Sequence, residues 1–425
     1  MLKLLSILPF MLLLAGCHPR PAGLTLPAEW SRQEAVFLTY TGNPDDGSTT
    51  VRVKAACEQL IEQIAPHLKM YLLVNAEWNL DSMLRVFKSR NYYTPNIQLV
   101  PVADLFSMGV VRDYGPIIIK DPRGIRKMMR FEWDYIGANF LDPDTAWQRE
   151  KNNTRDVYFN QISQLLHMEV VRSPLVIEGG EIETNGLGTG LIVDSFNRRR
   201  NPFFTSRSVD SLLKVSLGIS NVIRLSEGAA EDPAPWQSRI SGNIYGCGVG
   251  GHVDEFARFI NSNTILLAMP TKEEALRDPV KKITYDRMLV NYKILSAAKD
   301  QDGKPFKIIE FPVPDVTPYD IRIDTTDNSH PGASIRWDYP ELKHGDTIQF
   351  LPAVSYLNYI IMNELVIVPK YYQPGRKGSS DRKDLEVSKL FGQLFPGKKI
   401  IQLDPTGLNW VGGGFHCWTQ QVPAN

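Results

Sequence analysis

Short apolar runs of strand length recur along this chain, separated by stretches whose apolar residues keep a helical spacing, and that alternation restricts the fold to mixed α/β. Residues 35–40, 69–74, 117–119, 190–193, 264–267 and 365–368 read as strands. Residues 53–64, 157–166, 208–217, 285–298 and 384–395 read as helices between them. No low-complexity segment or long linker divides the chain, so residues 26–425 are expected to form one domain. Residues 313–350, rich in Pro, Asp and Tyr with little period, read as an inserted surface excursion. With 425 residues, 43% of them hydrophobic, the chain can bury a large core. Lys+Arg and Asp+Glu both number 47, so no partner recruited by net charge, nucleic acid above all, is expected.

The N-terminus departs from this pattern. Met1-Leu2-Lys3 opens an apolar run that is too short to span a membrane and fits a signal h-region. It ends in Leu14-Ala15-Gly16-Cys17, which reads as a bacterial lipobox and would make Cys17 the lipidated first residue of the mature chain. Residues 1–16 are then a lipoprotein signal peptide and 17–25 a tether. The expected location is the bacterial cell envelope, on the periplasmic or surface side, with the lipid as the sole membrane contact. Setting Cys17 aside leaves Cys57, Cys247 and Cys417, an odd number, so at least one thiol stays free. Cys57 sits in a helical apolar pattern and reads as core, and Cys247 reads as a small residue in a tight glycine-rich loop. No pair of cysteines has zinc-finger spacing, and no metal site is expected.

Cys417 lies behind Gly412-Gly413-Gly414, only eight residues from the end. Three glycines add no apolar surface and suit a loop whose backbone must approach a ligand closely. The cysteine is therefore a candidate nucleophile, with a buried thiol beside a tight turn as the alternative. Four other glycine-flanked stretches carry ionisable groups: 111–116 with Asp113, 176–182 with Glu178, 250–258 with His252 and Asp254, and 354–358 with Asn358. His252 and Asp254 are two apart, so on an extended segment both would face one ligand. A metal pair lacking a third ligand competes with that reading, as does an Asp capping a helix that starts near Glu255. Taken together, carboxylates, a histidine and a cysteine suit a planar cation attacked at carbon: carboxylates match the N–H fork of a guanidinium, and a thiolate attacks its centre.

The ordered motifs Arg-Asp-Tyr-Gly-Pro, Glu-Gly-Gly-Glu-Ile-Glu, Gly-Gly-His-Val-Asp-Glu-Phe-Ala-Arg-Phe, Ser-Tyr-Leu-Asn and Gly-Gly-Gly-Phe-His-Cys-Trp-Thr-Gln-Gln resemble the agmatine deiminase family, which includes the Porphyromonas-type peptidylarginine deiminases. The resemblance runs over residues 26–423 and includes the opening Leu-Pro-Ala-Glu-Trp. It implies a single-domain, five-bladed α/β-propeller of the guanidino-group-modifying superfamily, with the site on its axis and neither metal nor organic cofactor. It implies a catalytic set of Cys417 as nucleophile, His252 as general acid/base, Asp113 and Asp254 as guanidinium-binding carboxylates, and Glu178. It sets Asn358, Trp133, Gly413 and Gly414 beside the substrate and leaves His416 a packing role. Agmatine deiminases usually read Asp-x-Trp-x-Arg-Asp where this chain has Met108-Gly109-Val110-Val111-Arg112-Asp113. The arginine pair of the peptidylarginine branch has no basic counterpart in Trp133-Asp134-Tyr135-Ile136-Gly137-Ala138-Asn139. The activity implied is hydrolysis of a guanidino group, on peptidylarginine or an agmatine-like compound, to a ureido group and ammonia through a covalent thiouronium. An amidinotransferase and a catalytically silent surface lipoprotein that binds guanidinium compounds are the alternatives.

Overall fold

The computed structural model describes residues 23–41, 50–103, 109–134, 145–233, 237–248, 250–324, 342–375 and 381–425. Cys17 and the proposed signal peptide lie outside them. Five small sheets repeat one plan, in which a strand pairs antiparallel with the next and that strand pairs parallel with a third. Ile117–Lys120, Arg126–Glu132 and Glu169–Val176 form one such unit. Glu183–Thr184, Thr189–Val193 and Asn221–Leu225 form the second, and Ala257–Asn261, Thr264–Ala268 and Lys307–Phe311 the third. The fourth is Ile360–Ile361, Leu365–Pro369 and Lys399–Leu403. In the fifth, Gln33–Thr39 pairs antiparallel with the last strand, Thr419–Pro423, and parallel with Lys69–Asn75, which continues to Ile97–Val102. The two ends of the described chain thus meet in one sheet.

Local sequence explains these elements. Middle strands such as Leu365–Pro369 are buried along their whole length, which is why they appear as unbroken apolar runs rather than alternating ones. The parallel step in each unit needs a crossover, and helices occupy it. Helix Ser206–Leu217 starts on Thr205, whose hydroxyl accepts from Ser208 N, and stops at Gly218 in the left-handed region, φ 72°. Helix Pro279–Ala297 starts on Asp278 with proline in its first turn. Cys57 lies buried on helix Thr50–Ile64, and among the described residues Cys57, Cys247 and Cys417 form no disulfide.

Two expectations change. Residues 313–350 are not simply a surface excursion: Tyr319–Arg322 and Thr347–Leu351 pair antiparallel, and the latter joins Ile244–Cys247, paired in turn with Gln237–Ser241. Residues 325–341 of that segment lie outside the described ones. The strands escaped notice because half-buried strands of four and five residues are too short to show a period. Cys247 correspondingly ends a strand instead of sitting in a loop.

Helix Thr50–Ile64 crosses the short helix Thr406–Asn409 so closely that a Cβ at Gly407 would lie 2.1 Å from the Arg52 carbonyl oxygen. A backbone atom cannot swing aside as a side chain can. Gly407→Ala is expected to cost about 1–3 kcal/mol and lower the thermal unfolding midpoint by several degrees, measured by calorimetry.

Candidate active site

Each functional stretch enters just before the first strand of one repeated unit. Asp113 lies in the turn Val111–Tyr114 ahead of Ile117–Lys120, and Glu178 precedes the tight turn Gly179–Glu181 ahead of Glu183–Thr184. His252 and Asp254 flank and occupy the turn Val253–Glu255 ahead of Ala257–Asn261. Asn358 precedes Ile360–Ile361, and Cys417 precedes Thr419–Pro423. One position in the repeat, used five times, therefore delivers side chains from distant parts of the chain. All are 2% exposed or less.

The glycines do specific work in the Cys417 loop. Gly412 and Gly413 take φ of 90° and 81°, accessible to glycine at little cost. A Cβ at Gly413 would lie 2.7 Å from Cys417 Sγ, and one at Gly414 would lie 2.8 Å from Asn358 Oδ1. Asn358 Oδ1 accepts from His416 N at 2.8 Å and Cys417 N at 3.3 Å, while its Nδ2 donates to Cys417 Sγ at 3.1 Å and to Glu255 Oε1 at 2.8 Å. From the other side, Arg112 N donates to the Cys417 carbonyl at 3.0 Å and Arg112 Nε to the His416 carbonyl at 3.2 Å.

His252 turns one nitrogen to the protein and one to the site. Its Nε2 is 2.7 Å from Glu178 Oε2, and Glu178 also accepts from Arg200 at 2.7 and 2.8 Å and from Trp133 Nε1 at 2.5 Å. Its Nδ1 has no hydrogen-bond partner and lies 3.6 Å from Asp113 Oδ1. Asp254 Oδ1 is likewise buried without a partner. A Cβ added to Gly180 marks where these groups converge: it would lie 2.5 Å from His252 Nδ1, 3.0 Å from Asp254 Oδ2 and 3.1 Å from Asp113 Oδ1.

The charges follow from burial and neighbours. Burial opposes a charged His252, yet Asp113 and Glu178 outweigh it and push the imidazole up to about 10. Burial would raise Glu178, but Arg200 and His252 hold it down to about 2. Asp113 is pushed up to about 8, first by burial, with His252 pulling against Glu178 and Asp254. Asp254, although buried, is held below the usual carboxylate range by His416. Burial, then Asp254, Glu255 and Asp113, push the Cys417 thiol well above its ordinary value. The free site thus holds a protonated thiol, an imidazolium whose Nδ1 lacks a partner and one unpartnered acceptor, Asp254 Oδ1.

The structure brings Cys417, His252, Asp254, Asp113, Glu178 and Asn358 together. It puts Trp133 behind Glu178, where its indole N–H braces that carboxylate. His252 and Asp254 share a side because a tight turn brings them round, not because the segment is extended, and no side-chain cap starts a helix there. His252, Asp254 and Cys417 have donor atoms within 4.8 Å of one another, as do Asp113, Glu178 and His252. Glu178 is saturated by Arg200, Trp133 and His252, so the second set is a hydrogen-bonded network, whereas in the first Asp254 accepts from His416 while its Oδ1 and His252 Nδ1 stay open. Sequence reasoning gave no role to Arg200, Glu255 or Glu29. Glu255 and Glu29 stood within recognised motifs, whereas Arg200 lay in an ordinary helix with nothing to mark it.

The chain is similar over nearly its whole length to known proteins. The family model described as Porphyromonas-type peptidyl-arginine deiminase matches residues 25–423. An agmatine deiminase of Ectopseudomonas mendocina is 24% identical over 411 residues, covering 96% of this chain and 97% of its own length. Solved structures of agmatine deiminases from Enterococcus faecalis and Campylobacter jejuni, the latter with substrate bound, superpose with TM-scores of 0.70 and 0.66 at 22% and 20% identity. They cover 96% and 95% of this chain, and 98% and 97% of their own chains, and share its fold.

Because the thiol is held protonated in the free protein, alkylation of Cys417 by iodoacetamide is expected to be slow at neutral pH and to accelerate as pH rises. Asp254→Asn removes a negative neighbour, so its thiol is expected to react several-fold faster at a given pH, read by mass spectrometry. Gly180→Ala would set a methyl group 2.5 Å from His252 Nδ1, so it is expected to displace that ring and lower affinity for a guanidinium ligand by at least tenfold in calorimetric titration.

Proposed function

The chain belongs to the Porphyromonas-type peptidyl-arginine deiminase family, and on that premise we propose that it is a cysteine hydrolase that converts a guanidino group to a ureido group with release of ammonia. One observation carries the reading: the unpartnered Nδ1 of His252 and the carboxylates of Asp113 and Asp254 converge beside Gly180, and the Cys417 thiol lies within 4.8 Å of His252 and Asp254. The five repeated sheets, each delivering a residue from the same position, support a five-bladed propeller with this point on its axis.

The proposed chemistry follows from the charges. A guanidinium keeps its positive charge, and docking it against Asp113 and Asp254 offsets the negative field that holds the thiol protonated. With substrate bound the Cys417 thiol gives up its proton to solvent, and the resulting thiolate attacks the guanidino carbon. His252, an imidazolium, gives its Nδ1 proton to the departing nitrogen, which leaves as ammonia and yields an S-alkylthiouronium on Cys417. The now neutral imidazole takes a proton from water, the hydroxide adds to the same carbon, and collapse releases the ureido product while the sulfur leaves with the proton of the new hydroxyl, restoring the Cys417 thiol and the imidazolium. Glu178, fixed by Arg200 and Trp133, keeps the ring oriented through both steps.

The proposed substrate class is peptidylarginine or an agmatine-like compound. Residues 26–425 are the proposed catalytic domain, and Cys17 the proposed lipid anchor to the cell envelope. Cys417→Ser is expected to reduce ammonia release to background, a loss of about 10⁴-fold or more, with an unchanged melting temperature. The assay should run over agmatine, free arginine, and peptides with internal or C-terminal arginine. Full ammonia release by the variant would overturn the mechanism.

A further inference from the structure

His416 stands beside the nucleophile, and its side chain makes no contact with the convergence point described above. Its ring bridges two buried carboxylates: Nδ1 lies 2.6 Å from Asp254 Oδ2 and Nε2 lies 2.7 Å from Glu29 Oε2. An ionised carboxylate can only accept, so two such bonds require both ring nitrogens to carry hydrogen. Both carboxylates are in fact held below their usual range against burial, Glu29 chiefly by Arg258 and then His416, Asp254 chiefly by His416.

The partners of Asp254 make this bridge consequential. Its Oδ1 has no partner, and among the described residues its Oδ2 accepts from His416 and, more distantly, from the Cys417 thiol at 3.6 Å. The direction in which Asp254 points therefore rests on one imidazole. His416 is itself fixed from several sides. Its backbone N–H donates to Asn358, its carbonyl accepts from Arg112, and Glu29 is held by Arg258, by Ile361 N at 3.0 Å and by Gln421 Nε2 at 3.0 Å. Arg258 ends the chain by donating to Glu183 at 3.0 Å and to the Leu357 and Tyr359 carbonyls. The charged or titratable groups facing His416 are thus Glu29, Asp254, Arg112, Arg258 and the Cys417 thiol, with Glu183 one step removed.

We propose that His416 is a positioning residue for the guanidinium site: the chain Arg258–Glu29–His416–Asp254 ties the segment ahead of the first strand to the catalytic centre and keeps Asp254 ionised and aimed at the substrate. The proposal rests on the reading of Asp254 as a guanidinium-binding carboxylate. It also gives Glu29, two units away from Asp254 in the repeat, a part in substrate binding that no direct contact would reveal.

Three variants of the full chain separate this role from simple packing. His416→Asn can keep a donor near Asp254 without the charge, His416→Ala removes donor and charge, and Glu29→Gln removes the charge at the far end of the bridge. With the best substrate from the ammonia assay, His416→Ala is expected to lose about a hundredfold in kcat/KM, mostly through KM. Its acidic limb should move to higher pH, since an unbridged Asp254 protonates more readily. His416→Asn should recover part of the KM, and Glu29→Gln should shift the acidic limb in the same direction by less. A readout independent of turnover is the ¹⁵N spectrum of histidine-labelled Cys417→Ser protein, in which the resonances lost in His416→Asn are expected to be those of a doubly protonated ring. A neutral His416 ring, or a His416→Ala enzyme with an unmoved acidic limb and unchanged KM, would overturn the proposal while leaving the deiminase reading in place. Absence of turnover by the unaltered chain on every guanidino substrate would instead overturn the deiminase reading, and the ¹⁵N spectrum would still decide the bridge.

Discussion

Arg200 reaches Glu178 with two nitrogens in a place where neither side chain meets water. A charge in such a place stays only if it is paired, and removing one partner of a buried pair costs about 3–5 kcal/mol because the other is left uncompensated. The rest of the centre depends on this contact. Glu178 is ionised because Arg200 is there, His252 carries its proton because Glu178 and Asp113 face it, and the Nδ1 of that ring is left without a protein partner. Arg258 serves the opposite side in the same manner, through Glu29 and Glu183. Two buried arginines thus carry the electrostatics of a site in which neither touches the point of reaction.

The placement of those charges follows from repetition. Each unit begins with a turn that leads into its first strand, and each turn is tight enough to send a side chain inward before the strand departs. Where the turns crowd together, Cβ atoms have no room, so Gly180, Gly413 and Gly414 stand at the close approaches. Rigidity here has a chemical use: polar groups held in fixed positions before the substrate arrives need not reorganise when charge develops. In the proposed reaction the raised thiol fits the same logic, since a nucleophile that ionises only beside a cation is protected from adventitious chemistry in its absence.

Much of this was legible in the chain. The strands at 35–40, 264–267 and 365–368 announced themselves because middle strands of covered sheets are apolar throughout, and the helices kept an apolar spacing. Cys417, His252, Asp254, Asp113 and Glu178 stood out through their glycine-flanked motifs. The strands Tyr319–Arg322 and Thr347–Leu351 did not, because elements of four and five residues with one face exposed carry too few apolar positions to show a pattern. Arg200 was equally hidden: an arginine at the end of a short helix looks like any solvated one until the fold buries it against Glu178.

The sequence by itself determined which residues could do chemistry and that the fold would be α/β, because both are written in local patterns of residue type and spacing. The tertiary structure alone decided what those residues are. Protonation and direction depend on neighbours hundreds of positions away, and on how much water the packing excludes. His416 is the clearest case: as sequence it is a histidine beside a cysteine, and only folding sets it between Glu29, 387 residues distant, and Asp254, 162 residues distant.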